Sequence, residues 1–208
     1  MNATKLFTLL AQLALVETPL LHDGTPKNNK YLESVHTMAN LYVEVGSAGS
    51  FISPEIDPLV LAAIGYEESR HRVRVNDGDC RYDYRAQDTR CWSIGPMQLS
   101  RATPRWWKQI EPNDPLSVEQ LRDPQTSVRV AYRMLSYWKD SCHGDLTSTL
   151  SSWSAGKCLK KAALGQRRCS LVKAFAAASG LPEPVCTGHR GEYTVARVAA
   201  ITRKDETK

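Results

Sequence analysis

The 208-residue chain is long enough for one globular domain with extensions, or for two small domains. Its 42% apolar and 24% charged residues are ordinary for a protein that folds around a hydrophobic core. The net charge of +5 suits an acidic polymer as partner, although many globular proteins carry such a charge without one. No nucleic-acid-binding motif is present, so nucleic acid is not an expected partner.

The N-terminal segment contains an apolar run that is too short and too interrupted to cross a bilayer as a stable span. Five apolar side chains of this run fall on one helical face and predict an amphipathic first helix: Leu6, Leu9, Leu10, Leu13 and Val16. A secretory signal peptide is the alternative, although no clear small-x-small cleavage site follows.

The rest of the chain is predicted to be mainly α-helical. A second helix is expected over residues 30–45, and the Gly/Ser-rich segment 46–50 is expected to end it. Asp57-Pro58 is a helix-start signal for a helix to about residue 70, and segment 75–92 favours loops or a small β-hairpin. Four more helices are expected: a short one that starts at Thr103-Pro104 and carries Trp106 and Trp107, and three others near residues 123–140, 146–153 and 171–179.

This pattern predicts a division into three parts. Residues 1–50 would form an N-terminal helical extension, residues 51–175 the main domain and residues 176–208 a C-terminal tail. The break at 46–50 is the best candidate boundary, because glycine and serine cluster there between two helical patterns.

Six cysteines, at positions 80, 91, 142, 158, 169 and 186, favour disulfides, because none lies in a Cys-x-x-Cys arrangement typical of zinc or dithiol redox sites. Cys80 and Cys91 can close the loop between them, while the other four leave three pairings open. Disulfides predict a protein that works outside the reducing cytosol. Six reduced cysteines, or a zinc site using His143 or His189, are the alternatives.

Two adjacent glutamates, Glu67 and Glu68, end the apolar helix that begins at Asp57-Pro58. Helical periodicity does not choose between them, but one is expected to face the core side, where desolvation raises the pKa of a carboxyl group. A carboxylic acid tuned in this way can protonate a glycosidic oxygen. The alternative is that both are solvated and pair with Arg70 or Arg72.

Three short motifs follow one another along the chain: Glu68-Ser69, Gly95-Pro96-Met97-Gln98 and Ser152-Trp153-Ser154-Ala155-Gly156. Each motif alone is weak, but the three in this order and at this spacing resemble the soluble lytic transglycosylase family and its goose-type lysozyme relatives. The resemblance covers residues 52–156, about half of the chain. It implies a mainly α, lysozyme-like α+β fold in which a small loop or hairpin region lines a glycan cleft.

The resemblance also implies roles for individual residues. Glu68 would be the catalytic acid, and Ser69 would lie near the scissile sugar. Gly95 would let the backbone approach the glycan, Met97 would pack beneath the cleft, and Gln98 would offer an amide to the acid or to the substrate.

Two substrate-binding positions depart from the family pattern. Trp153 stands where a tyrosine is expected, so a phenolic hydroxyl is lost while a stacking surface and one N–H donor remain. Ser154 stands where an asparagine is expected, so an amide that can contact the sugar is missing.

The activity that the resemblance implies is cleavage of the MurNAc-β-1,4-GlcNAc bond of peptidoglycan, with formation of 1,6-anhydro-MurNAc. Glu68 would act as the single acid and base, without a metal or other cofactor. The alternatives are a muramidase, which activates water with a loop aspartate, and a catalytically inactive wall-binding or virion structural protein. The loop aspartates are Asp77, Asp79, Asp83 and Asp88.

The expected partners are peptidoglycan strands, with phage or secretion-apparatus proteins as a route to the wall. The expected location is periplasmic, secreted or virion-associated. A basic cluster is interpreted as a solvated face, with anionic wall polymers as the alternative ligand: Lys157, Lys160, Lys161, Arg167 and Arg168.

Overall fold

The computed structural model describes residues 2–17, 29–48, 56–72, 75, 93–159 and 163–186. Within these ranges the chain forms seven α-helices: α1 (Ala3–Glu17), α2 (Asn29–Ala48), α3 (Pro58–Ser69), α4 (Thr103–Ile110), α5 (Pro124–Ser141), α6 (Leu146–Ala155) and α7 (Ala163–Ala178). Two short strands, β1 (Ser93–Ile94) and β2 (Leu99–Ser100), and a 3₁₀ helix at Glu119–Arg122 complete the described elements. The predicted mainly α, lysozyme-like fold with a small hairpin is confirmed.

The N-terminal helices pack against the rest of the fold. Leu6 and Leu10 of α1 and Val35 and Tyr42 of α2 are fully buried, in the same hydrophobic core as α3. The division at residue 50 stays a prediction, but α2 contacts both α3 and α5 directly. None of the described helices has the length and apolar character that a bilayer span requires.

The end of α2 differs from the sequence prediction. The helix continues through Gly46 to Ala48 instead of ending at residue 45. A Cβ at Gly46 would lie 2.8 Å from Cγ of Pro58, the first residue of α3. The glycine therefore permits close contact between two helices, and its presence does not break the helix.

Local sequence explains where α3 begins and ends. The Asp57 side chain accepts a hydrogen bond from the Leu59 backbone N–H at 2.8 Å, and Pro58 opens the first turn. The helix is buried from Leu59 to Tyr66, and it ends where Arg70 takes a left-handed conformation. The predicted helix and its start signal are confirmed.

The hairpin forms around the second motif itself. Ser93 pairs with Ser100 and Ile94 with Leu99, so Gly95-Pro96-Met97-Gln98 is the turn between β1 and β2. The hairpin predicted for 75–92 lies outside the described residues, apart from Val75.

Two disulfides fix the C-terminal helices. Cys142 is joined to Cys158 and Cys169 to Cys186, which selects one of the three pairings that the sequence left open. The first bond connects the residue after α5 to the segment after α6, and the second connects α7 to the chain beyond it. Cys80 and Cys91 lie outside the described residues, so their predicted bond stays a prediction.

The last described helix is longer than predicted. It begins at Ala163 rather than near residue 171, so it includes Gly165, Arg167 and Arg168. A Cβ at Gly165 would lie 2.8 Å from Cβ of Ser151 on α6. This close approach brings the first turns of α7 against α6, near the end of α3.

Candidate active site

Glu67 and Glu68 lie in the last turn of α3 and face α7. The Glu67 side chain is 6% exposed and the Glu68 side chain 21% exposed. The alternative of two solvated carboxylates is therefore wrong. Both have arginine partners on α7, a helix whose first turns the sequence pattern had not predicted.

Arg168 joins the two glutamates. Its guanidinium, only 3% exposed, pairs with Glu68 Oε1 through Nη2 and with Glu67 Oε2 through Nε at 3.2 Å. Its Nη1 donates to the Leu150 carbonyl and to Ser154 Oγ, each at 3.1 Å. Arg168 is thus part of a buried ionic network, and the interpretation of its basic cluster as a solvated face is wrong for this residue.

A second arginine reaches the same network from its exposed side. Arg167 Nε lies 2.8 Å from Glu67 Oε1, and the Arg167 side chain is 41% exposed. Glu67 therefore lies between two cations, while Glu68 pairs with Arg168 alone among the described ion pairs.

The surroundings of Glu68 raise the pKa of its carboxyl group above the ordinary value. Burial is the largest cause, because a carboxylate loses its hydration there. The positive charge of Arg168 lowers the pKa, the negative charge of Glu67 raises it, and a hydrogen bond from Trp153 lowers it. The net direction of the pKa shift is upward.

The third motif lies beside this carboxyl group. Trp153, half-buried in the last turn of α6, donates its indole N–H to Glu68, and Ser154 accepts from Arg168. Gly156, at φ 62°, ends the helix one residue after Ala155. The structure thus brings Trp153 and Glu68 together directly, and Ser154 to them through Arg168.

Ser69 is fully buried rather than open to a cleft. Its hydroxyl donates to the Gly65 carbonyl and accepts from the His71 backbone N–H, each at 3.0 Å. These bonds stabilise the end of α3, and contact with a sugar stays a prediction.

The hairpin motif packs against the core close to α3. Met97 is fully buried, and its Sδ lies 3.3 Å from the position that a Cβ on Gly65 would occupy. Gln98 donates its side-chain amide to the Gly95 carbonyl at 2.9 Å, and no described hydrogen bond joins it to Glu68. The predicted contacts of Gly95, Met97 and Gln98 with substrate stay predictions.

The turn that follows Glu68 is held by α2. Tyr31 donates its hydroxyl to the Arg70 carbonyl at 2.9 Å, and Ser34 donates to the His71 carbonyl at 3.0 Å. His71 is fully buried beside Tyr42, and desolvation, helped by the charge of Arg70, lowers the pKa of its imidazole to about 3. Sequence reasoning missed this support, because nothing local in residues 29–48 points to the end of α3.

Several other candidate residues lie outside the described ranges. The loop aspartates and His189 belong to segments that are not described. Trp107 is buried and donates its indole N–H to the Asp114 carbonyl, so it is a core residue. A cavity of about 300 Å³ opens at the first turn of α3, at the other end of the helix from Glu68.

Metal ligation finds no support in the described part of the chain. No group of three His, Cys, Asp or Glu side chains there is placed to hold an ion. The four cysteines of these ranges are in disulfides, so they offer no thiolate ligands to the zinc alternative.

A buried helix that ends in a paired glutamate, beside a short hairpin and inside a mainly α fold, defines the lysozyme-like class of glycan-cleaving proteins. Within that class, residues 52–174 match the family model for the transglycosylase SLT domain, more than half of the chain, and the protein belongs to this family. Membership makes it a peptidoglycan-cleaving enzyme of the lytic transglycosylase type in general terms. Searches of curated proteins and of solved structures found no match.

Proposed function

We propose that the protein is a lytic transglycosylase that cleaves the MurNAc-β-1,4-GlcNAc bond, with Glu68 as its single acid and base. The observation that carries this proposal is the environment of Glu68. Its carboxyl group is largely buried at the end of α3, has a raised pKa, and receives hydrogen bonds from Trp153 and Arg168. Carboxyl groups whose pKa is perturbed by burial and by a specific charged partner cluster at functional sites.

In the first step, Glu68 donates its proton to the oxygen that links MurNAc C1 to GlcNAc C4. The C1–O bond breaks, and GlcNAc leaves with a free C4 hydroxyl. The N-acetyl group of MurNAc can stabilise the positive charge that develops at C1. Burial favours this step because it keeps Glu68 protonated at a higher pH than a solvated glutamate.

In the second step, the Glu68 carboxylate takes the proton of the MurNAc C6 hydroxyl. The C6 oxygen attacks C1 and closes the 1,6-anhydro ring, so Glu68 returns to its acid form and no water is consumed. The Trp153 N–H and the Arg168 guanidinium stabilise the carboxylate between the two steps.

The remaining predicted site residues act on substrate position in this proposal. Gln98 retains an amide oxygen that can accept a bond from the glycan, and Gly95 and Met97 fix the hairpin turn that presents Gln98. Ser154 is exposed and can contact the sugar while it orients Arg168. Ser69 supports Glu68 from within the fold through its bonds to Gly65 and His71.

We also propose that the protein works outside the reducing cytosol, in the periplasm, in a secreted form or on a virion. Two disulfides support this location, because such bonds persist in oxidising surroundings. The substrate of the family lies there too. Phage or secretion-apparatus proteins are the partners that would carry it to the wall.

Replacement of Glu68 by Gln tests the catalytic assignment. We expect purified Glu68→Gln to clear a suspension of purified peptidoglycan about 10²–10⁴-fold more slowly than wild type, because the amide cannot donate or accept the proton. Glu111→Gln is the matched control, since it makes the same change in a half-buried glutamate that pairs with Arg133 on another part of the surface. Unchanged activity in Glu68→Gln would refute the assignment.

A further inference from the structure

Arg168 is shared between two carboxylates, and this sharing has a chemical consequence. The guanidinium contacts Glu67 and Glu68 and is fixed on its other side by the Leu150 carbonyl and Ser154 Oγ. We propose that Arg168 and Glu67 are positioning residues for Glu68: Arg168 orients its carboxyl group, and Glu67 compensates the guanidinium charge whenever Glu68 carries a proton. The inference rests on the proposed function, in which Glu68 alternates between acid and carboxylate.

A buried guanidinium needs a carboxylate partner, because an unpaired charge in the protein interior is strongly destabilising. If Arg168 had Glu68 as its only partner, protonation of Glu68 would leave a cation with 3% exposure unpaired. Glu67 removes this obstacle, since its Oε2 lies 3.2 Å from Arg168 Nε and can pair with the guanidinium when Glu68 is protonated. The network therefore permits Glu68 to hold the proton that the first step needs.

The same network serves the state after proton transfer. When Glu68 becomes a carboxylate, Arg168 Nη2 is already in contact with it, and the Trp153 N–H is near enough to favour the charged form. Preorganised donors of this kind stabilise a developing charge without a cost of reorganisation at the moment of reaction. Arg167, which pairs with Glu67 from the exposed side, gives Glu67 a second cationic partner while Arg168 is shared.

The groups that face Glu68 from the described elements act in opposite directions. Glu67 of α3 raises the pKa of Glu68, whereas Arg168 of α7 and the Trp153 N–H of α6 lower it. Removal of Glu67 should therefore lower the pKa of Glu68, and removal of Arg168 should raise it. If Glu67 and Arg168 had purely structural roles, their removal would not shift the pKa of Glu68 in opposite directions.

The test is the pH profile of peptidoglycan cleavage by the full chain. In Glu67→Gln, we expect the limb on which Glu68 loses its proton to move to lower pH by about one unit, because Arg168 then acts on Glu68 alone. In Arg168→Gln, the limb should move to higher pH by a similar amount, and the maximal rate should fall about tenfold or more as the orientation is lost. In the wild-type chain the Glu111 carboxylate pairs with Arg133. Its replacement in Glu111→Gln should leave the limb in place.

An unmoved limb in Glu67→Gln, or shifts of the same sign in both variants, would overturn the inference. Should Arg168→Gln fail to fold by circular dichroism, the Glu67→Gln profile decides alone, because Arg167 is exposed enough to regain water when Glu67 is neutral. If Glu68→Gln is inactive and the pH limb of Glu67→Gln does not move, only this inference is refuted and the proposed function stands. Full activity in Glu68→Gln refutes the proposed function and the inference together.

Discussion

At the scale of single residues, three of the four described non-glycine residues with positive φ lie in or directly after the site motifs, and the fourth is His143. Arg70 and His71, directly after the Glu68 helix, have φ of 53° and 54°, and Gln98 in the hairpin turn has φ of 49°. A non-glycine residue in this region costs on the order of 1 kcal/mol and persists where the surroundings fix it. Hydrogen bonds from Tyr31 and Ser34 do so after Glu68.

Position 95 requires glycine for two reasons: its φ is 70°, and neighbouring atoms leave no room for a side chain. A Cβ there would overlap with the Leu121 carbonyl oxygen and would lie 3.0 Å from Ser127 Oγ. We expect Gly95→Ala to reduce the free energy of unfolding by about 3 kcal/mol, because strain at positive φ adds to a clash with backbone. Urea denaturation measures this loss.

Gly144→Ala is the control for that prediction. Gly144 has φ of 76°, but a Cβ there would have nothing within 4 Å, so only the conformational cost of about 1 kcal/mol should remain. Equal losses in the two variants would contradict the packing role of Gly95.

His71 should make stability depend on pH. Its folded pKa of about 3 lies below the ordinary 6.5, so the unfolded chain binds a proton that the folded protein excludes. This contribution is complete above pH about 6.5 and is lost as the pH falls toward about 3, at roughly 1.4 kcal/mol per unit. In His71→Asn, the loss of stability between pH 7 and pH 4 should be smaller by on the order of 3 kcal/mol.

The matched control is His143→Asn. His143 is exposed and has φ of 55°, nearly that of His71, so the substitution makes the same change in backbone preference without burial. Its pH dependence of urea unfolding should follow that of wild type. A His71→Asn curve parallel to wild type would show that the buried imidazole does not control acid stability.

At the scale of elements, the contact between α2 and α3 determines how the Glu68 helix is supported. Gly65 lies opposite Tyr42, whose hydroxyl is 3.5 Å from His71 Nδ1, and Met97 of the hairpin reaches the same point. One small residue thus lets two elements meet α3 one turn before Glu68. The helix α3 is thus in contact with both α2 and α7.

Gly65→Ala should therefore separate α2 from α3. A Cβ at this position would overlap with the Tyr42 hydroxyl, and we expect a cost of about 1–3 kcal/mol. Tyr42→Phe removes that hydroxyl, so the double variant should be less destabilised than the sum of the single variants by about 1 kcal/mol. Additive losses in a denaturation double-mutant cycle would refute this contact as the cause.

Helix starts could be predicted from the sequence because their causes are local. Asp57-Pro58 and Asp123-Pro124 each place a capping carboxylate directly before a proline, and both helices begin there. The start of α7 was missed because its first turns hold Gly165, Arg167 and Arg168 rather than an apolar face. Contacts with α6 and with two glutamates of α3 stabilise those turns instead, and no local pattern records them.

The site could be predicted only in part for the same reason. The motifs identified Glu68 and Trp153 as site residues, and these two residues interact. Helical periodicity could not distinguish Glu68 from Glu67. Arg168, the partner of both, is 100 residues from Glu68 in the chain. The choice of Glu68 as the acid depends on the family register and stays a prediction.

At the scale of the whole molecule, covalent bonds fix the elements that surround Glu68. The Cys142–Cys158 bond encloses α6, which carries Trp153, and the Cys169–Cys186 bond begins at the neighbour of Arg168. Both partners of the Glu68 carboxyl group are therefore close to a disulfide. The two disulfides therefore tie down the helices that pack around the Glu68 carboxyl group.

The central claim is that this acid cleaves peptidoglycan without water. Digestion of purified peptidoglycan in heavy-oxygen water, followed by mass spectrometry of the muropeptides, tests it most directly. We expect products that end in 1,6-anhydro-MurNAc, lighter by one water than hydrolytic products and free of heavy oxygen, and no such products from Glu68→Gln. Reducing ends that carry heavy oxygen would identify a muramidase and contradict the account.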